Sequence, residues 1–267
     1  MHKCASETLL KLSADKKYLG ATPGIIQVLH TWGQELNFHP HIHCIITGAG
    51  LTKTKKLRKS QKKFFIPVKA LGKMFRGKYL DQLQILYEKN KLHFSSSCLK
   101  LRNSYEWNDF KNALYSQTWI PYIKETFNGF GNAIDYLGRY THRIAISNTR
   151  IKSVTTTQVT FTAKDYKTGE QKDVILSHTE FLRRFLMHVL PSGFQKIRYY
   201  GFLNNRSKKI NLKLIVKLTG KALFQSKYIS MSHDELLQSL WNINIHLCPE
   251  CGCCSMRHAG RTYSLRN

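Results

Sequence analysis

The chain has 267 residues, 42% of them apolar, and a formal charge of +26 from 42 Lys and Arg against 16 Asp and Glu. That is enough apolar material for one large domain, or a domain with a small appendage, and it excludes a chain too polar to fold. No stretch nears the roughly 18 apolar residues of a membrane-spanning helix, and charge this one-sided repels itself unless an anionic partner, most commonly nucleic acid, neutralises it.

The N-terminus, MHKCASETLL, has neither the apolar run nor the small-residue cleavage site of a secretory signal. Cys4, Cys44 and Cys98 are isolated, whereas Cys248, Cys251, Cys253 and Cys254 crowd together. An odd number without framework spacing argues for a reducing compartment, so a cytoplasmic protein is expected.

Residues 5–17 read as a short amphipathic helix, and GIIQVLHTWG (24–33) as a strand. A second strand follows at FHPHIHCII and closes at Gly48-Ala49-Gly50; two strands so close predict an antiparallel hairpin. The basic run 52–63 predicts a surface loop, and FFIPV (64–68) another strand. Helical spacing returns over 69–90 and again over 108–127, where Pro121 interrupts it. NGFG (128–131) reads as a loop and AIDYLGRYTHR (133–143) as a helix. IAISNTRIKSV, QVTFTAKDY and DVILS predict strands, the last two joined by the turn KTGE. Ser177 or Thr179 can cap a helix running to Val189, before Pro191. QKIRYYGFLNNRSKK (195–209) reads as a strand running into a basic, Asn-rich loop, and helical segments and the cysteines finish the chain. Strands and helices do not alternate cleanly, so the pattern is α+β on antiparallel strands.

Four groups of side chains in this series carry chemistry by their spacing. In a strand, residues two apart point the same way, so His41 and His43 share one face while Ile42, Cys44 and Ile46 occupy the other. The apolar face can pack on a helix, which leaves two imidazoles in position to hold a divalent metal. His39 extends the row, but Pro40 suggests that the regular strand starts after it. On the predicted helix 133–143, Tyr136 and Tyr140 are four residues apart and share a face, with Arg139, His142 and Arg143 nearby. A phenol is a competent nucleophile toward a phosphodiester. Arg198, Tyr199, Tyr200, Asn204, Asn205 and Arg206 mix cations, aromatic rings and amides, a set suited to single-stranded DNA. Cys248-x-x-Cys251 is half of a tetrahedral Zn²⁺ site, with Cys253, Cys254, His246 and His258 near in sequence.

HPHIHC, YLGRYTHRIAISNTRI and IRYYGFLNNR, in that order, resemble the two-tyrosine rolling-circle transposases of the insertion-sequence ninety-one family, within the HUH endonuclease superfamily. ASETLLKLSADKKYLGA and LHTWGQELNFHPHIHC are similar to that family too, so the resemblance runs over about residues 5–210. It implies a ferredoxin-like antiparallel sheet with helices on one face, and a small β/α region at the C-terminus. His41 and His43 would hold Mg²⁺ or Mn²⁺, with His142, Asp135 or a water as a third ligand. Tyr136 and Tyr140 would cut single-stranded DNA at element ends, leaving a 5′-phosphotyrosine and a free 3′-hydroxyl. It further implies a nuclease core over 1–155, a DNA-binding region over 156–267 with a cysteine-rich tail, and a bacterial, nucleoid-associated protein. Family members usually begin with a zinc-binding segment and a first core strand, neither of which precedes MHKCASETLL here. The expectation is therefore either a misplaced start codon or an N-terminally truncated element copy. Two rivals stand beside this reading. One is a non-catalytic DNA-binding remnant. The other is a small-molecule metallohydrolase, whose barrel would need repeated strand–helix units and carboxylate ligands that the sequence does not offer.

Overall fold

The computed structural model describes residues 1–60, 66–124, 145–165, 168–220, 228, 230–248 and 250–253. The chain divides into two compact units, 1–219 and 220–267.

The larger unit is built on two antiparallel sheets. The first contains β1 (Thr22–Trp32), β2 (Phe38–Leu51), β3 (Leu57–Lys59) and β7 (Ile197–Gly201), in the order β3-β2-β1-β7. The second contains β4 (Ile151–Val154), β5 (Gln158–Lys164) and β6 (Gln171–Ser177), in chain order. Helices α1 (His2–Ala14), α2 (Val68–Glu88), α3 (Ser104–Ser116), α4 (His178–Leu186) and α5 (Lys208–Thr219) complete the unit. The expected α+β class with antiparallel strands is what the chain forms. Its first sheet joins strands far apart in sequence, because β7 pairs with β1 from Gly24↔Gly201 to Val28↔Ile197.

One face of the first sheet is covered by helices. Leu9 and Leu12 of α1, Ile25 of β1 and Ile66 form a buried cluster, with Cys44, Ile46, Leu71, Met74 and Tyr200 packed around it. Helix α1 has two buried stripes because it is covered on two sides. His2 and Ser6 meet β1 through the Gln27 carboxamide, 3.0 Å from His2 Nδ1. Cys4 meets α2 through the Lys78 carbonyl, and Lys78 pairs with Glu7 at 3.0 Å. The apolar side of the histidine strand thus packs on helices as its alternation predicts. Gly201 ends β7 in the left-handed region, φ +62°, where a Cβ would strike the Pro23 carbonyl, so only glycine fits the close approach to β1.

The second sheet and α4 bury Phe161 and Ala145 with Leu36 from the β1–β2 loop. Leu36 is fully buried and has φ +60°, an uncommon conformation for a bulky residue. Several bonds hold it there. Buried His188 donates from Nε2 to the Leu36 carbonyl at 3.0 Å, while its Nδ1 accepts from the Thr31 hydroxyl at 3.1 Å. Arg184 donates to the Glu35 carbonyl and the Asn37 side chain, Arg150 to the Gln34 carbonyl, and Lys172 pairs with Glu35. The second sheet therefore grips the tip of the first sheet's hairpin.

Several local expectations need correction. β2 begins at Phe38, ahead of Pro40. Its register slips between His30↔His41 and Trp32↔Phe38, and this irregularity absorbs the proline's missing donor. The basic run is not all loop, since Leu57–Lys59 pairs with Ala49–Leu51 as β3. In FFIPV, Phe64 and Phe65 lie outside the described residues, and Val68 opens α2 behind Pro67 rather than extending a strand. The helix expected over 108–127 runs instead from Ser104 to Ser116, started by Asn103, whose side chain accepts from the Tyr105 and Glu106 amides. Among the described residues of IAISNTRIKSV, Ile151–Val154 is the strand, after a 3₁₀ turn at Asn148–Arg150. Ser177 is the cap of α4, which ends at Leu186, short of Val189. NGFG and AIDYLGRYTHR lie outside the described residues.

The smaller unit contains α6 (His233–Trp241), started by a capping box in which Ser232 and Glu235 satisfy each other's backbone amides. No helix among the described residues is long and apolar enough to cross a membrane.

Candidate metal centre

Strands β1 and β2 pair with Val28 opposite His43 and His30 opposite His41. Directly opposed residues of an antiparallel pair share a face. His30 therefore joins His41 and His43 on the face away from α1 and α2. One nitrogen from each ring lies within 4.8 Å of the others, and among the described residues this is the one group of three or more potential ligands.

The geometry within the trio is close. His41 Nε2 and His43 Nε2 are 3.1 Å apart. Two nitrogens each about 2.1 Å from one ion stand roughly 3.0–3.4 Å apart, so this spacing suits a shared ion. His41 Nδ1 is 2.7 Å from the carbonyl of His39. A carbonyl only accepts, so Nδ1 carries the proton and Nε2 presents its lone pair, the arrangement that orients a metal-ligating histidine. His39, expected as an extra ring in the row, contributes through its backbone. His30 is buried and stacked on Trp32 at 4.4 Å, and it meets His43 edge-on at 4.6 Å. Lys196 Nζ lies 4.9 Å from the Trp32 ring centroid, and burial lowers its pKa.

Burial keeps two of the rings, His41 and His43, in the ligand form. Burial lowers the His41 pKa against the opposing effect of its bond to the His39 carbonyl. Burial, then the neighbouring His41, push His43 down to about 4. Neutral imidazoles are what a divalent ion requires. Among the described residues the donors are three nitrogens, a set that suits a first-row transition ion better than Mg²⁺, which prefers oxygen donors and gives up water reluctantly. Cys44, on the helix-covered face, has its thiol pushed up to about 12, chiefly by burial, and takes no part.

The other expected site residues are distributed as follows. Tyr136, Tyr140, Arg139, Arg143 and His142, with Asp135, lie outside the described residues. Arg198 pairs with Gln27, and Tyr200 with Ile25, on the helix-covered face, so the sheet separates them from the trio. The β7 residues on the histidine face are Ile197 and Tyr199. Asn205 and Arg206 are exposed in the turn between β7 and α5. Cys248 and Cys251 lie in one turn, while the Cys253 sulfur points to the Cys251 carbonyl at 3.8 Å.

His30 is a member of the trio that the sequence pattern does not single out. The hairpin closes with Trp32 opposite Phe38, and the one-residue slip that follows brings His30 opposite His41 instead of Pro40.

Comparison with known proteins agrees with the sequence resemblance. The sequence model of the family described as "Putative transposase" (Y2_Tnp) matches residues 24–210. The chain is 37% identical over 255 residues to "Putative transposase y4qJ" of Sinorhizobium fredii (strain NBRC 101917 / NGR234), covering 94% of this chain and 64% of that protein. It is 30% identical over 207 residues to "Transposase for insertion sequence element IS801" of Pseudomonas savastanoi pv. phaseolicola, covering 75% of this chain and 49% of that protein. The chain thus spans between about half and two thirds of these relatives' length. No solved structure matches.

Proposed function

Since the chain belongs to the Y2_Tnp transposase family, we propose that it cuts and rejoins single-stranded DNA at the ends of a mobile element, through a tyrosine nucleophile beside the histidine trio. The observation that carries this reading is the trio itself: three imidazoles from two strands, two of them, His41 and His43, held neutral by burial, with the His41 tautomer fixed by a backbone carbonyl. His30, His41 and His43 would hold Mn²⁺ in preference to Mg²⁺. Bound there, the ion supplies positive charge where negative charge gathers on a phosphate in flight.

The covalent step balances without another reactant. The phenol oxygen of Tyr136 or Tyr140 bonds to phosphorus and gives up its proton. The bond from phosphorus to the 3′ oxygen breaks, and that oxygen leaves as a hydroxyl after taking a proton. The phosphotyrosine keeps the energy of the bond, and a second phenol permits transfer to another strand. Arg139 and Arg143 adjoin the tyrosines in sequence, and Asn205 and Arg206, exposed after β7, are available to the DNA backbone.

The test uses a single-stranded oligonucleotide carrying an end of the element that encodes the chain. Incubation in Mn²⁺ should give cleavage and a protein–DNA adduct on a denaturing gel, lost in the Tyr136→Phe/Tyr140→Phe double variant. Cleavage without an adduct overturns the tyrosine mechanism. Binding without cleavage in any divalent ion favours a DNA-binding role without catalysis.

A further inference from the structure

The hairpin end of the first sheet presents aromatic rings beside the histidine trio. Trp32 stands opposite Phe38 where the hairpin closes, and directly opposed residues of an antiparallel pair share a face. Trp32 stacks on His30 with ring centroids 4.4 Å apart, so Trp32 and Phe38 both belong to the face that carries the trio. Phe38 lies three residues before His41 along β2, about 10 Å at a rise of about 3.3 Å per residue. It is 56% exposed, so the ring adds little to the core. It is nevertheless held in place. The ring lies parallel to buried His188, with 6.4 Å between centroids and 12° between planes. Leu36, two residues earlier, is fixed by His188, and the Asn37 side chain accepts from Arg184 at 3.1 Å. A braced, exposed aromatic ring is preorganised to stack on another flat ring at small entropic cost. Lys196 brings a cation to the same end of the sheet, with Nζ 4.9 Å from the Trp32 ring centroid. The lysine is half-buried, so its charge has lost part of its water and gains from an anion beside it.

We propose that Phe38 and Lys196 form a nucleotide subsite beside the histidine trio, in which a base of single-stranded DNA stacks on the Phe38 ring and a neighbouring backbone phosphate meets the Lys196 ammonium. The subsite rests on the reading of the chain as one that acts on single-stranded DNA, and it names the side chains that hold the strand. A single strand fits because its bases can splay out and offer their faces to a ring, whereas a duplex keeps its bases stacked inside. Every base has such a face, so the subsite is indifferent to sequence. A nucleotide presents a flat ring and an anion together, which matches the pairing of ring and cation at this end of the sheet. At the stacked rise of about 3.4 Å per nucleotide, Phe38 lies within about three nucleotides of a phosphate held at the trio. Phe38 and Lys196 are positioning residues: they fix where the strand lies and do not touch the reacting atoms.

The experiment measures binding by the full chain, by fluorescence anisotropy in EDTA, so that neither an ion nor cleavage enters. Two oligomers of equal length are compared: oligothymidylate, and the same phosphate backbone carrying abasic sugars. Phe38→Ala should weaken binding to oligothymidylate by roughly 5- to 100-fold, the worth of one base–aromatic stack, and should bind the abasic backbone as wild type does. That unchanged binding also reports an intact fold. Phe38→Trp should bind both oligomers at least as well as wild type. Lys196→Gln should weaken binding to both and make the slope of log K against log salt shallower by about 0.7, the share of one phosphate, and Lys196→Arg should restore it. Wild-type affinity of Phe38→Ala for oligothymidylate, an equal loss on both oligomers, or a wild-type salt slope in Lys196→Gln would each overturn the subsite while leaving the DNA reading in place. A wild type that binds neither oligomer would overturn the subsite together with the reading it rests on.

Discussion

His30 and His41 stand directly opposite each other across β1 and β2, and this register assembles a three-imidazole centre from two strands. His41 and His43 alone are an i, i+2 pair on a partly exposed face. The third ring comes from the neighbouring strand, already buried and braced by Trp32. His30→Ala should therefore weaken Mn²⁺ binding by more than the roughly 10–100-fold typical of losing an outer-shell partner. Isothermal titration of the purified chain measures this. Unchanged affinity would remove His30 from the centre.

The pH dependence of the metal-free protein follows from the same rings. His41 and His43 have folded pKa values below the ordinary 6.5, chiefly through burial, with His43 at about 4. Between those values the unfolded chain binds more protons than the folded one, so protonation favours unfolding. Their contribution to stability is complete above about pH 6.5 and is lost as pH falls toward 4. Thermal unfolding from pH 7.5 to pH 4 should show the midpoint falling through that window, and His43→Ala should flatten the fall. Equal slopes in wild type and variant would contradict the assignment.

His188 links the second sheet to the hairpin that carries the trio, bonded to Thr31 on one side and Leu36 on the other. Removing its ring leaves a buried carbonyl without its donor and a cavity beside Trp32 and Phe38. His188→Ala should cost about 2–4 kcal/mol in urea unfolding. A loss below about 0.5 kcal/mol, the size of an ordinary surface substitution, would show that the grip on Leu36 does not hold the hairpin.

Much of this was written in the sequence, and what was not has physical causes. The alternation of His41, Ile42, His43 and Cys44 gives the two faces of β2 directly, and the apolar one packs on α1 and α2 as expected. His30 was missed because its partnership is between strands, and no local period reports it. The start of β2 was misplaced because Pro40 was weighed as a strand breaker without the slip in register that accommodates it. FFIPV has strand-like composition, but Pro67 fixes a helix start that composition does not encode. Arg198 and Tyr200 look available in sequence, yet alternation along β7 turns them to the helix-covered side and Tyr199 to the other.

The charge of +26 makes a separate demand. If it serves single-stranded DNA, log K against log salt should have a slope of about −3 or steeper, since each neutralised phosphate contributes roughly 0.7. A nearly flat response in fluorescence anisotropy would assign the charge to another partner.

The two tyrosines should differ. They are one helical turn apart in the predicted helix, and in-line attack needs the nucleophile about 3–3.5 Å from phosphorus, so one phenol meets that condition at a time. Tyr136→Phe should abolish adduct formation on a single-end oligonucleotide, whereas Tyr140→Phe should spare it and impair strand transfer. Full adduct formation in both single variants, lost only in the double, would mean that the phenols are interchangeable.

The most direct test of the histidine centre as the seat of the chemistry is adduct yield on a single-stranded element end, compared between wild type and His43→Ala, in Mn²⁺ and in EDTA. Wild type in Mn²⁺ should form the covalent adduct, EDTA should abolish it, and His43→Ala should form none while keeping its fold by circular dichroism. An adduct formed at the wild-type level in EDTA, or by His43→Ala, would contradict the account.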